Sequence, residues 1–117
     1  MPASVHALND DERPSWCSYP AALIKLWDEG VDRLGPWSFL TRKDSLAVTQ
    51  NLLERYGRVF VPFAESNIEE FVCFEEGMGQ RVLSVNPTTV AGKEVERTWE
   101  SFADWLSVAR RDAEYWD

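Results

Sequence analysis

The sequence predicts a single α+β domain in which a mostly antiparallel sheet of about four to six strands is flanked by helices. Residues 59–63, 71–74 and 81–85 are short runs rich in β-branched and aromatic side chains, and the connectors between them contain Asn or Gly. Apolar residues at helical spacing precede and follow these runs instead of alternating with them. Sequential strands beside segregated helices are typical of the α+β class. A chain of 117 residues is long enough for one hydrophobic core.

The N-terminal part is predicted to contain a lead-in, a helix and a short strand. Residues 1–17 mix Pro, Ser, Asn and an acidic run without periodicity, which favours a flexible, solvated segment over an interaction tail. Pro20 suits the first turn of a helix, and Gly30 is placed to end it in a left-handed conformation. Residues 32–35 predict a turn, and residues 36–40 a short extended segment. The buried face of the helix is predicted from Leu23, Leu26, Trp27 and Val31.

A second helix is predicted before the three strand runs at 59–63, 71–74 and 81–85, which we call the meander, and a third helix after them. Thr41 is predicted to cap the second helix and Gly57 to stop it. Its inward face is predicted from Leu46, Thr49, Leu52, Leu53 and Tyr56. Val90 and Val95 each give a weak signal for an edge strand. Thr98 is predicted to cap the third helix, whose apolar face comprises Trp99, Phe102, Leu106 and Ala109, with Trp105 beside them.

Charge and cysteine content exclude several classes of function. The net charge of −8 argues against a nucleic-acid surface, because phosphate binding depends on clustered Lys and Arg. The two cysteines, Cys17 and Cys73, lie in unlike contexts and form no zinc motif, so Cys73 is predicted to be a buried free thiol. No leader-like apolar region and no run of roughly 18 apolar residues is present. The sequence therefore predicts a cytoplasmic protein.

The residue types of most catalytic sites are missing. The chain has one histidine, His6, no phosphate-binding loop and no nucleophile elbow. Carboxylates in the connectors of the meander remain, and they allow three interpretations: a solvated surface, a protein-binding patch, or an acid–base or metal site. Exposed connectors rarely supply the apolar pocket that a catalytic carboxyl needs. The candidate partner-binding residues are therefore Glu65, Glu69, Glu70, Glu75 and Glu76.

Trp37 is a further candidate. It follows a turn and a proline, and we predict that it is partly exposed and anchors a protein partner. Trp27 and Trp99 fall in helical core patterns and are predicted to be structural. Val72 and Phe74 should face one side of the sheet while Phe71 and Cys73 face the other, so this strand is predicted to be covered on both faces.

Six weak motifs occur in an order that resembles a known family. They are YP at 19–20, GPWSFL at 35–40, ERYG at 54–57, VPFA at 61–64, EEFVCF at 69–74 and FADWL at 102–106. This order resembles the Smi/Knr group of the SUKH superfamily over roughly residues 19–108. The resemblance implies an α+β domain, here residues 18–117, with a central sheet and flanking helices.

The resemblance also implies a function. Many bacterial members are immunity proteins that bind and neutralise a polymorphic or contact-dependent toxin, often a nuclease. The chain is therefore expected to be a non-enzymatic binding protein, as a monomer or weak dimer, without metal or cofactor. Its acidity agrees, since complementary charge speeds capture of a basic partner. The alternative is an intracellular regulatory or scaffold module with a host protein partner.

Overall fold

Six strands, each paired antiparallel with its neighbour in the chain, form one sheet in the computed structural model. The structure describes residues 5–67 and 70–116, and the elements below are those found within these ranges. They are α1 (Ala21–Asp28), β1 (Arg33–Leu34), β2 (Trp37–Phe39), α2 (Arg42–Tyr56), β3 (Phe60–Ser66), β4 (Phe71–Glu75), β5 (Val82–Val85), β6 (Val95–Trp99) and α3 (Phe102–Glu114). The predicted α+β class with a central antiparallel sheet is confirmed.

The sheet is covered on both faces, as the pattern of β4 predicts. Val72 and Phe74 pack in a core beneath α1 and α3, which we call the α1/α3 face. Phe71 and Cys73 pack in a second core beneath α2, which we call the α2 face. Cys73 is a fully buried free thiol, as predicted, and burial raises its pKa well above the ordinary value.

Aromatic rings fill the α1/α3 face. Phe63 stacks on Phe74 with 4.7 Å between ring centroids, and it meets Trp105 edge-on at 5.2 Å. Trp105 in turn meets Trp37 at 5.6 Å and is fully buried. Such edge-to-face and offset pairs add to the free energy of simple area burial. These contacts join α3 to β2, β3 and β4.

α2 begins and ends as predicted. The Thr41 side chain accepts a hydrogen bond from the Asp44 amide, and Gly57 takes the left-handed conformation with φ 68°.

One residue of the predicted inward face of α2 is wrong, because Leu53 is 38% exposed whereas Leu52 is fully buried. Successive residues of a helix point about 100° apart, so both cannot face the sheet. Ser45 is buried instead, and its hydroxyl donates to the carbonyl of Pro62 at 2.8 Å.

The predicted start of the third helix is wrong. Thr98 and Trp99 belong to β6, where they pair with β5, and α3 begins three residues later. The cap is Ser101, whose hydroxyl accepts from the Asp104 amide at 3.2 Å. Both Thr98 and Ser101 can cap a helix, and pairing with β5 decides between them by drawing residues 95–99 into the sheet. Val90 lies outside the strands and is 70% exposed.

Within the predicted turn at residues 32–35, Arg33 and Leu34 form β1, and the chain turns at Gly35. β1 and β2 make a hairpin in which Gly35 has φ 60°. A Cβ at this glycine would lie 2.6 Å from the Cα of Ala113 in α3. Glycine therefore serves both the turn and the close approach of α3, which contacts β1 and β6 at opposite edges of the sheet.

Residues 5–17 pack on the domain. Leu8 and Cys17 are buried in the α1/α3 core, and His6 is 6% exposed with its Nδ1 2.8 Å from the carbonyl oxygen of Leu40. Glu12 forms an ion pair with Arg42, with 2.6 Å between Oε1 and Nε. The prediction of a solvated lead-in is thus wrong for Leu8, Cys17 and His6, which are buried. Leu8 and Cys17 supply apolar area to the core, and Glu12 is held by its ion pair. Residues 1–4 lie outside the described part of the chain.

In the described ranges, no helix has both the length and the apolar character needed to cross a membrane.

Candidate functional site

Glu70 is buried in an ion pair. It is 5% exposed, and its Oε1 lies 2.5 Å from Nη2 of Arg97 while Oε2 lies 3.3 Å from Nε. The guanidinium lies over the rings of Trp99 and Trp37, at 4.9 and 5.5 Å from their centroids. Glu70 therefore joins the start of β4 to β6. Replacement of Glu70 by a cation would place like charges together at Arg97. The substitution would therefore lower stability, whether or not Glu70 contacts a partner.

Trp37 is not exposed as predicted. Its relative exposure is 3%, and its indole Nε1 donates to Oδ2 of Asp112 at 2.9 Å. Alternation along β2 turns Trp37 and Phe39 toward the core, and α3 covers them. The proline and turn before Trp37 lead into β2, and α3 covers this side chain through Trp105 and Asp112.

Arg58 pairs with two carboxylates, Glu75 and Glu94, and the sequence analysis did not single out Glu94. Arg58 binds both oxygens of Glu75, at 2.6 and 2.8 Å, and its Nη1 lies 3.1 Å from Oε2 of Glu94. Glu94 is 4% exposed, and its other oxygen accepts from the Gly92 amide at 2.8 Å. The pKa of Glu94 is lowered, first by this backbone hydrogen bond and then by Arg58, against the effect of burial. No spacing or motif marks Glu94.

The remaining predicted glutamates lie in different settings. Glu65 is half-buried at an open groove of about 480 Å³ whose walls include Val48, Phe71 and Pro87. Glu76 is exposed, and Glu69 lies outside the described residues. The four described glutamates therefore lie in different settings and do not form one continuous patch. Partner binding by any of them stays a prediction.

The buried glutamates do not have the environment of a catalytic acid. A general acid needs a carboxyl whose pKa is raised by an apolar pocket. Glu70 and Glu94 each face an arginine, and the pKa of Glu94 moves in the opposite direction. Among the described residues, no group of three or more His, Cys, Asp or Glu side chains could hold a metal ion.

The structure brings two other acidic segments together. Residues 5–13 and 24–32 carry six carboxylates against two basic side chains, a net charge of −4 in a chain of −8. Between them lies a groove of about 260 Å³, which we call the acidic groove; its walls include Leu8, Asp10, Arg13, Ile24, Trp27 and Asp28.

The rim of the acidic groove is charged, and its floor is apolar. Asp10 and Asp28 are exposed, and Asp10 is ion-paired with Arg13 at 3.1 Å. Ile24 is 43% exposed, one helical turn before Asp28. Sequence analysis missed this surface because it assigned residues 1–17 to a flexible, solvated segment. The only signals in the sequence that this segment packs against α1 were the apolar residue Leu8 and the single histidine, His6.

Comparison of this chain with protein-family models, with curated proteins and with solved structures finds no match.

Proposed function

We propose that this protein is a non-enzymatic binding protein of the SUKH type that neutralises a cognate toxin through an acidic surface. The observation that carries the proposal is the division of charge in the structure. Five of the twelve basic side chains are held in ion pairs with carboxylates of the same chain. In the described ranges, nine exposed carboxylates have no ion-pair partner: Asp11, Asp28, Glu29, Asp44, Glu54, Glu76, Glu96, Asp104 and Glu114.

The net charge of −8 favours a basic partner. Several unpaired charges of one sign attract an opposite surface over about one Debye length, roughly 8–10 Å at physiological salt, and raise the rate of encounter. A toxin domain that acts on nucleic acid has a basic active site, so an acidic protein fits it as a competitor for the phosphate backbone.

The positions of the motif residues support the SUKH resemblance. Phe63 of VPFA contacts Phe74 of EEFVCF, together with Phe102 and Trp105 of FADWL. Tyr19 of YP meets Phe74 at 6.3 Å. Four motifs that are distant in the sequence therefore contribute to one core.

Growth rescue tests the proposed function. The protein is co-expressed with toxin-like proteins encoded next to it, and growth is scored with and without it. We expect one such protein to arrest growth alone and to be silenced by co-expression. The purified pair should associate about tenfold more slowly at 150 mM than at 20 mM salt, because exposed charges are screened. If this protein restores growth against none of the toxin-like proteins encoded next to it, the proposal is overturned. A rate constant independent of salt would remove its electrostatic basis.

A further inference from the structure

We propose that the acidic groove is the surface that binds the protein partner, and that it accepts a lysine or arginine side chain of that partner with its flanking backbone. This inference rests on the proposed function and assigns it a place that differs from the connectors of the meander. The groove lies between the N-terminal segment and α1. Leu8 and Trp27 in its floor belong to the α1/α3 core, whereas Asp10, Ile24 and Asp28 in its walls are exposed.

Size favours a side chain over a whole small molecule as the occupant. The groove measures about 260 Å³, below the roughly 300–1,000 Å³ of sites that enclose small-molecule ligands. Lysine and arginine place an aliphatic stem on apolar surface and keep the charged head in a polar rim. Ile24, 43% exposed, supplies apolar surface, and Asp28 supplies a carboxylate one turn further along α1.

The chain already holds one guanidinium at this groove. Arg13 lies 5.5 Å from the ring centroid of Tyr19, donates from Nε to the carbonyl of Cys17 at 3.0 Å, and pairs with Asp10. An aromatic face, a backbone acceptor and a carboxylate are the contacts that arginine makes at protein interfaces. Asp28 has no ion-pair partner among the described residues, so it offers a second cation the same kind of anchor.

A defined peptide tests the groove independently of any toxin. Acetyl-Leu-Arg-Leu-Lys-Leu-amide is titrated into the isotope-labelled 117-residue protein, and amide chemical shifts are followed by NMR. The largest changes are expected in residues 7–13 and 24–28. The variant Asp28→Lys should weaken binding about tenfold, because reversal replaces attraction by repulsion. This change leaves helix α1 intact, since a cation is favourable near a helix C-terminus.

Two further variants make the test specific. Ile24→Ser removes apolar surface without a change of charge and should weaken binding about threefold, consistent with the area lost. Glu54→Lys is the matched control, because Glu54 is an exposed carboxylate on α2; it should change the affinity by less than twofold. Equal binding of the acidic peptide acetyl-Leu-Glu-Leu-Glu-Leu-amide, or shift changes centred outside the groove, would overturn the inference.

The two proposals fail in different ways. If a neighbour-encoded toxin is neutralised but Asp28→Lys protects as well as the wild type, the proposed function stands and the groove is not its surface. If no toxin is neutralised and the basic peptide still binds at residues 7–13 and 24–28, the groove stands as a protein-binding surface and the immunity function falls.

Discussion

The two faces of the sheet are stabilised in different ways. Seven buried aromatic side chains lie on the α1/α3 face, against one on the α2 face. The α2 face instead uses polar side chains of the helix that bond to strand carbonyls. Ser45 donates to Pro62 at 2.8 Å, and Thr49 donates to Phe60 at 3.1 Å. The α1/α3 face therefore supplies most of the buried apolar area, while hydrogen bonds fix the position of α2.

Large-to-small substitutions in the two cores should separate these roles most clearly. Trp105→Ala should lower the free energy of unfolding by about 3–5 kcal/mol, because the side chain is fully buried among other rings. Leu52→Ala on the α2 face should cost about 2–3 kcal/mol, because half-exposed neighbours such as Val48 and Tyr56 can move into the space. Urea unfolding at constant m-value measures both. An equal or larger cost for Leu52→Ala would show that the α2 face is the main core.

The α2 face was the easier of the two to predict. Its helix has local signals at both ends, Thr41 and Gly57, and the structure confirms both. The α1/α3 face depends on contacts between distant residues. Docking of the N-terminal segment depends on His6 and Leu8, whose partners lie more than ten residues away. Periodicity within a window of the sequence contains no information about such contacts.

The ion pair of Arg97 with Glu70 allows a second test. Arg97→Ala should cost about 1–2 kcal/mol, because it leaves Glu70 buried without its partner. The cost stays below the value for a fully buried pair because the Arg97 side chain is 47% exposed. Arg97→Lys keeps the charge but loses the bidentate geometry and the stacking on Trp99, so it should recover about half of the loss. A neutral Arg97→Ala would show that the pair contributes nothing to stability.

Arg58 and Arg97 explain why the candidate site was hard to predict from the sequence. Glu70 and Glu75 have the residue type and connector position of exposed charges, yet each pairs with an arginine from another strand or its flank. Glu70 and Glu75 are buried or exposed according to where Arg97 and Arg58 lie in space. The pairing of the strands determines those positions. Glu94 follows a glycine-containing turn, and only the folded turn brings the Gly92 amide to it.

Acid sensitivity should reveal the smallest difference between the faces. The pKa of Glu94, on the α2 face, is lowered from the ordinary 4.5, mainly by the Gly92 amide. The pKa of Glu12, in the N-terminal segment that packs on the α1/α3 face, is lowered mainly by Arg42, the first residue of α2. A carboxyl with a lowered folded-state pKa binds protons more readily in the unfolded chain. Its stabilisation is therefore complete above pH 4.5 and is lost as the pH falls through the folded-state pKa.

Glu94→Gln and Glu12→Gln assign this loss to one ion-paired carboxylate or the other. Urea midpoints are measured from pH 7 to pH 3 for both variants and the wild type. Each variant should be less stable than the wild type at pH 7, and the difference should shrink as the wild-type carboxyl becomes protonated. A larger difference for Glu94→Gln would show that the polar contacts of the α2 face dominate acid unfolding. A difference that stays constant with pH would mean that the substitution acts through packing, and that the ionised carboxylate does not stabilise its face.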